Sequence, residues 1–236
     1  MQRWAAPVTP DDRAGPNLEY DPLFGELERA AQGTPESVLG NTVKPAEEPR
    51  WSEVERLASG LLDRTRDLRV AAHLLRALLR SEGLPGLSRG VALIETLLTE
   101  FWDGVHPQLD ADDDNDPTLR INSLVGLNDV ATTLRWLREV PIVSAPRVGR
   151  YGLRDLRIAE GRLTPVGDAP RATSAEIDAA ALEAPIEQLI ANRDAAAAAR
   201  ATLGRIETLF AERAHGAGPD FTPLRGDLQE IERFLA

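Results

Sequence analysis

Leu68-Arg69-Val70-Ala71-Ala72-His73-Leu74-Leu75-Arg76-Ala77-Leu78-Leu79 is the stretch that decides the fold. Nine of these twelve residues are apolar, and at 3.6 residues per turn they surround the helix instead of forming one stripe. A helix with that pattern belongs in the middle of a bundle. Asp67 is placed to cap it and Gly83 to end it, which predicts a helix over Leu68–Glu82. Just upstream, Trp51, Val54, Leu57, Ala58, Leu61 and Leu62 follow i, i+3, i+4 spacing; just downstream, Leu87–Trp102 repeats it through Val91, Ile94, Leu97, Leu98 and Phe101. Short connections make the three antiparallel neighbours around one core. The fold class is therefore mainly α, a multi-helix bundle of antiparallel helices.

Outside that core the pattern is more broken. Residues 1–16 are rich in Pro, Asp and Gly and read as an irregular arm, and Asn17 is placed to cap a helix over Leu18–Gln32. Gly33–Arg50 carries Pro35, Gly40, Pro45 and Pro49 and reads as a loop. After an acidic loop, Asp110–Pro117, helical patterning resumes over Thr118–Leu127 and Asp129–Arg138. Pro141 and Pro146 break it. Ile142-Val143, Tyr151–Ile158 and Leu163 then suggest one or two short strands, a β-hairpin between about 141 and 165 with Gly161 as the turn signal. Thr173 or Ser174 with Glu176 opens another helix as a capping box; Leu182–Ala214 reads as one long helix, and Phe221, Leu224, Leu228, Ile231, Phe234 and Leu235 as a last one. The implied organisation is the arm, a helical domain over 17–140, a connection over 141–172 and a C-terminal helical subdomain over 173–236. The last helix runs to the final residue, and further domains are expected beyond it.

Composition narrows the function classes. Of 236 residues, 27 are Lys or Arg and 38 Asp or Glu, a formal net charge of −11. That field repels phosphate backbones and anionic lipid, so neither nucleic acid nor a membrane surface is an expected partner. With no cysteine there is no disulfide and no thiolate chemistry. Met1–Pro7 has no apolar core of a signal peptide, and Val70–Leu79 and Val91–Leu98 are too short to span a bilayer, so a cytoplasmic location is expected. Lys44 is the lone lysine, an arginine bias that suggests a GC-rich bacterial coding sequence.

Each candidate chemistry has a plainer competing account. Asp110, Asp112 and Asp114 alternate like the first ligands of an EF-hand, but the sixth position is Asn115 where glycine is needed and the twelfth is Ile121 where glutamate is needed. A solvated loop whose Asp116 caps the next helix behind Pro117 fits better; it is also a negative patch that a basic partner can read. His73, His106 and His215 are the only histidines, and none pairs at i, i+4. An all-α metal-dependent hydrolase using His73 or His106 with carboxylates is the competing functional reading. No phosphate-binding glycine motif, dinucleotide fingerprint or nucleophile elbow occurs. Asp67-Leu68-Arg69 reads as a cap with a bridging arginine, Trp51 and Trp102 as core or interface anchors, and the Ala195–Ala199 run as a helix face that could pack on a second copy.

Several strings occur in order: Asn17-Leu18-Glu19-Tyr20-Asp21-Pro22; Pro45-Ala46-Glu47-Glu48-Pro49 with Trp51; Asp67-Leu68-Arg69-Val70-Ala71; Leu75–Leu79; Phe101-Trp102-Asp103 with His106-Pro107-Gln108-Leu109-Asp110; and Asp116–Arg120 leading to Asn122. Together they resemble the N-terminal region of the TssA (ImpA-type) proteins of bacterial type VI secretion systems, most densely from residue 15 to 140. Looser likeness runs through Gly152–Leu156 and Thr173–Ala181. The resemblance implies a non-enzymatic cytoplasmic assembly factor with no cofactor or metal. Its implied partners are baseplate, membrane-complex and tube or sheath proteins, with homo-oligomerisation mainly through regions beyond residue 236. The expected partner-binding surface is the arm with Asn17, Glu19, Tyr20 and Asp21, plus the loop with Asp110, Asp112, Asp113, Asp114 and Asp116.

Overall fold

The central stretch folds as read, but as one arm of a helical hairpin. In the computed structural model, which describes residues 2–34, 37–39, 42–44, 47–165 and 171–236, helix α3 is Leu68–Glu100, interrupted at Gly83 (φ 66°, ψ −143°). Asp67 caps it, its carboxylate accepting the Arg69 amide at 2.8 Å. Gly83 ends the first arm, as its left-handed φ suits glycine. The second arm starts at Leu84 instead of Leu87, because Pro85 fits the first turn of a helix. It turns back over the first: a Cβ on Gly86 would lie 2.1 Å from the Leu78 carbonyl, and one on Gly90 2.8 Å from Leu75. Both glycines are there because nothing larger fits.

Helix α1 (Pro22–Gln32) and α2 (Trp51–Leu62) pack on this hairpin, burying Phe24, Leu27, Val54, Leu57, Ala58 and Leu61. The cap of α1 is Asp21, accepting from the Leu23 amide at 2.9 Å, and not Asn17, because Pro22 suits the first helical position. Asn17 instead makes a local turn with the Glu19 amide. Between α1 and α2 the expected loop contains two short antiparallel strands, β1 (Ser37–Leu39) and β2 (Thr42–Lys44). Pro35, Gly40, Pro45, Ala46 and Gly167 lie outside the described residues. The arm is pinned: Trp4, in a 3-10 turn over Gln2–Ala5, is buried and its indole donates to Asp63 at 2.7 Å.

Past α3, helix α4 is Thr118–Val125 and α5 is Thr133–Glu139; Asp129 holds the turn before α5 through Ala131 and Thr132. The hairpin pairs β3 (Pro141–Ala145) with β4 (Gly149–Gly152), Val143 opposite Tyr151 and Ala145 opposite Gly149. Its turn is at Pro146–Val148, not Gly161. Leu153–Ala159, expected to continue a strand, is helix α6, with Asp155 accepting the Gly152 amide. The predicted capping box opens α7 (Ser174–Glu183) at Thr173. The long helix expected over Leu182–Ala214 forms but starts later: Ala184 is extended ahead of Pro185, and α8 runs over Ile186–Arg213. Helix α8 lies along the second arm of α3, where Arg205 meets Glu95 at 3.0 Å, and Asn192 ties it to the hairpin through the Ile142 carbonyl. Helix α9 (Thr222–Phe234) closes the far side of α8. One apolar cluster runs from Trp4 through the α3 hairpin to Ile231. Trp102 packs edge-on against Phe210, and the half-buried Trp51 against Trp136, so both predicted anchors are packing groups.

Candidate functional site

Both parts of the predicted surface hang from one end of the bundle, at the turn Asp63–Asp67 between α2 and α3. On one side the turn receives the arm. Thr65 donates its hydroxyl to the Pro16 carbonyl (2.8 Å), the Arg66 amide donates to Ala14 (2.6 Å), and the buried Arg66 guanidinium donates to Ala6 (2.7 Å) and Leu62. On the other side it receives the loop after α3. The His106 amide donates to Arg66 (2.9 Å), the Leu68 amide donates to His106 (2.8 Å), and His106 Nε2 lies 2.8 Å from the Gly15 carbonyl. A carbonyl only accepts, so this contact places the ring proton on Nε2. His106 is a clasp between arm and loop.

Arg69 organises Asn17–Asp21. Its guanidinium meets Asp67 (2.8 Å), Glu19 (3.0 Å) and Asn17 (3.1 Å) and lies 4.8 Å above the Phe24 ring. Arg64 reaches Asp21 at 2.6 Å. The Glu19 carboxyl is held below its ordinary range by Arg69, through hydrogen bonding first and charge second, and that of Asp21 by the hydrogen bonds from Arg64 and then the Leu23 amide. Asn17, Glu19 and Asp21 are thus brought together as scaffold, and the residue they present is Tyr20, 94% exposed.

Asp110–Asp116 forms a closed turn. The Asp110 amide donates to Asp116 (3.2 Å), Asp116 to Asp113 (2.9 Å), and Asp112 to the Asp110 carboxylate (3.0 Å), with Asp114 and Asn115 at left-handed φ of 49° and 59°. Asp116 accepts the Thr118 amide at 2.7 Å, but Pro117, expected as the first helical residue, stands at the N-cap of α4 in its place, and the Thr118 hydrogen bonds lower the Asp116 pKa. The carboxylates of Asp110, Asp112, Asp113 and Asp114 form no ion pair among the described residues. They do not converge as a cation site would, and no group of three or more His, Asp or Glu able to hold a metal occurs among the described residues. No hydrogen bond or ion pair joins this turn directly to Asn17–Asp21 among the described residues.

One residue of this end was not legible beforehand. Arg120 is fully buried, donating Nε to the Pro107 carbonyl (2.8 Å) and Nη2 to Val105 (3.1 Å), with its guanidinium 5.0 Å over Trp102. Burial pushes its pKa down to about 10, partly offset by Asp103. The one sequence signal is that Arg120 shares a helix face with Leu124 and Leu127.

Among the described residues the histidines are not joined to carboxylates by hydrogen bonds. His73 Nδ1 is buried without a partner. A cleft of about 390 Å³ between the arm and the ends of α3 and α8 is lined by Asp12, Arg13, Phe101, Trp102, Asp103 and Arg213 among others, with neither histidine nor serine in its wall. Among the described residues no helix is long and apolar enough to cross a membrane.

Relatives place this end in context. A sequence model described as ImpA, N-terminal, type VI secretion system matches residues 5–129, which include most of the arm, both arms of α3, the acidic turn and α4. A curated relative, type VI secretion system component TssA1 of Pseudomonas aeruginosa, is 43% identical over 228 residues. The alignment takes in 95% of this chain and 65% of that protein, so the chain spans less than two thirds of the relative's length. A solved structure described as the N-terminal domain including the conserved ImpA_N region of the TssA component from Burkholderia cenocepacia has the same fold, with a TM-score of 0.78 at 24% identity over 99% of this chain and 91% of that one. With more than half its length matched, the chain belongs to the ImpA N-terminal family of type VI secretion system TssA proteins.

Proposed function

We propose that this chain is a non-enzymatic docking module of a type VI secretion apparatus, working in the cytoplasm in baseplate and tube or sheath assembly through protein–protein contacts. One observation carries the reading: at the end where the family's strings converge, the polar side chains of those strings serve as ties. His106, Arg66, Asp67, Arg69 and Arg120 all hold backbone or each other, while Tyr20 and the aspartates of the acidic turn face outward. An exposed aromatic on a pre-ordered loop is the kind of residue on which interface energy concentrates.

The test is co-purification with purified baseplate, membrane-complex and sheath components, beside a secretion assay in a deletion strain. Tyr20→Ala is expected to weaken capture of at least one component by roughly tenfold while leaving the melting temperature unchanged. Undiminished capture by Tyr20→Ala removes Tyr20 from the surface; no capture of any component by the intact protein removes the reading.

A further inference from the structure

Helix α4 has an unusual outer face. In a chain with 28% charged residues, its only charged side chain is Arg120, and that one is buried. The outward residues are Thr118, Leu119, Asn122 and Val125, with Leu119 59% and Val125 49% exposed. Val130, in the turn that follows, is 67% exposed. The one carboxylate of that turn, Asp129, is occupied by the Ala131 amide and the Thr132 hydroxyl. A surface helix ordinarily turns charge to water, and isolated exposed apolar side chains need no explanation; three within twelve residues, with Asp129 the one exposed charge among them, do. Immediately before this neutral face stands the acidic turn, with four carboxylates unpaired among the described residues. The two parts are held to one scaffold, since Arg120 bonds α4 to the carbonyls of Val105 and Pro107 at the root of that turn.

We infer that this surface docks a basic amphipathic helix of another apparatus component, with apolar anchors on Leu119, Val125 and Val130 and Lys or Arg on the acidic turn. The inference rests on the docking function proposed above. Charge selects the occupant. A two-fold contact with a second copy through this face would set one acidic turn against another, and like charges in apposition oppose association. Anionic lipid and nucleic acid are repelled for the same reason. The other exposed apolar group, Leu182, Ile186 and Ile190 at the α7–α8 corner, carries acidic Glu183 and Glu187 beside an Arg193–Asp194 pair, so no charge pattern there names a partner.

The experiment places a benzophenone photo-crosslinker at Leu119 or Val125 of the full-length protein in cells producing the apparatus, with Leu182 as the control position. The captured segment is sequenced, synthesised as a peptide and titrated against purified protein. The expected segment has apolar residues at helical spacing flanked by Lys or Arg. Leu119→Asp should weaken its binding by roughly tenfold or more. The triple change Asp112→Asn, Asp113→Asn, Asp114→Asn should weaken it by about tenfold at low salt and remove most of its salt dependence. Leu182→Asp should leave binding unchanged, and circular dichroism melts check that each variant folds. Capture of a neutral or acidic segment, capture of a second copy, or absence of capture while apparatus components still co-purify overturns the inference alone. Loss of all co-purification by the unmodified protein overturns the docking function itself.

Discussion

His73 is held neutral by its surroundings. Burial first, and the charge of Arg76 second, push its pKa from the ordinary 6.5 down to about 4, against a smaller pull from Asp67. In the unfolded chain the imidazole takes a proton below about pH 6.5; in the folded protein it does not until about pH 4. Stability tied to His73 is therefore complete above pH 6.5 and lost progressively as pH falls to 4, by about 1–3 kcal/mol. Urea midpoints measured across that window should fall more steeply for the native protein than for His73→Leu. Arg120 yields a second prediction: Arg120→Met leaves the Val105 and Pro107 carbonyls without their donor and should lower stability by roughly 2–4 kcal/mol in chemical denaturation. The two residues differ in how far their environment could be read in advance. Asp67, Asp116 and Thr173 act on amides two or three residues away, so local chemistry announced them. The burial of Arg120 depends on carbonyls 13 and 15 residues back, which no periodicity encodes.

Among the elements, glycine positions on helices separate into two kinds. Gly90 faces Leu75 across the α3 hairpin, where an added methyl meets backbone and side-chain carbon at 2.8 Å, whereas Gly60 in α2 has nothing within 4 Å. Gly90→Ala should cost about 1–3 kcal/mol by forcing the arms apart. Gly60→Ala should add about 0.5–1 kcal/mol through helix propensity alone. Thermal melts of the pair, with shifts of opposite sign, check the crossing geometry. Long periodic segments such as α2 and the first arm of α3 were legible because the same residues satisfy the helical repeat and the core. Short elements were not. Leu153 and Leu156 bury α6 with only two anchors in seven residues, too few to establish a helical repeat. The break before α8 is carried by Pro185, which restricts Ala184 while the apolar pattern continues across it. The acidic turn was legible as a patch; the neutral face of α4 beside it was not, because the side of a helix that meets water depends on tertiary packing.

For the whole molecule, the last helix is locked to the middle of the chain by charge. Asp227, buried, accepts from Arg138 on α5 and Arg157 on α6, both at 2.6 Å, and Arg157 and Arg162 converge on Glu230. Burial alone would raise the Glu230 pKa, but the hydrogen bonds and charges of Arg157 and Arg162 bring it down to about 2. Its contribution to stability is thus present above about pH 4.5 and lost as pH falls toward 2. Asp227→Asn breaks the centre of the network and should cost about 3–5 kcal/mol, since Arg138 loses its counter-charge and Arg157 keeps only Glu230; guanidinium denaturation measures it. The arm, in turn, is buttoned to the α2–α3 turn through Trp4, Ala6, Ala14 and Pro16, and to His106 through Gly15. Tension drawn across that seam is shared by all five fastenings and not taken one at a time. The docking end should therefore yield abruptly and at high load instead of peeling, so that traction on Tyr20 is passed to the rest of the bundle before the arm lets go.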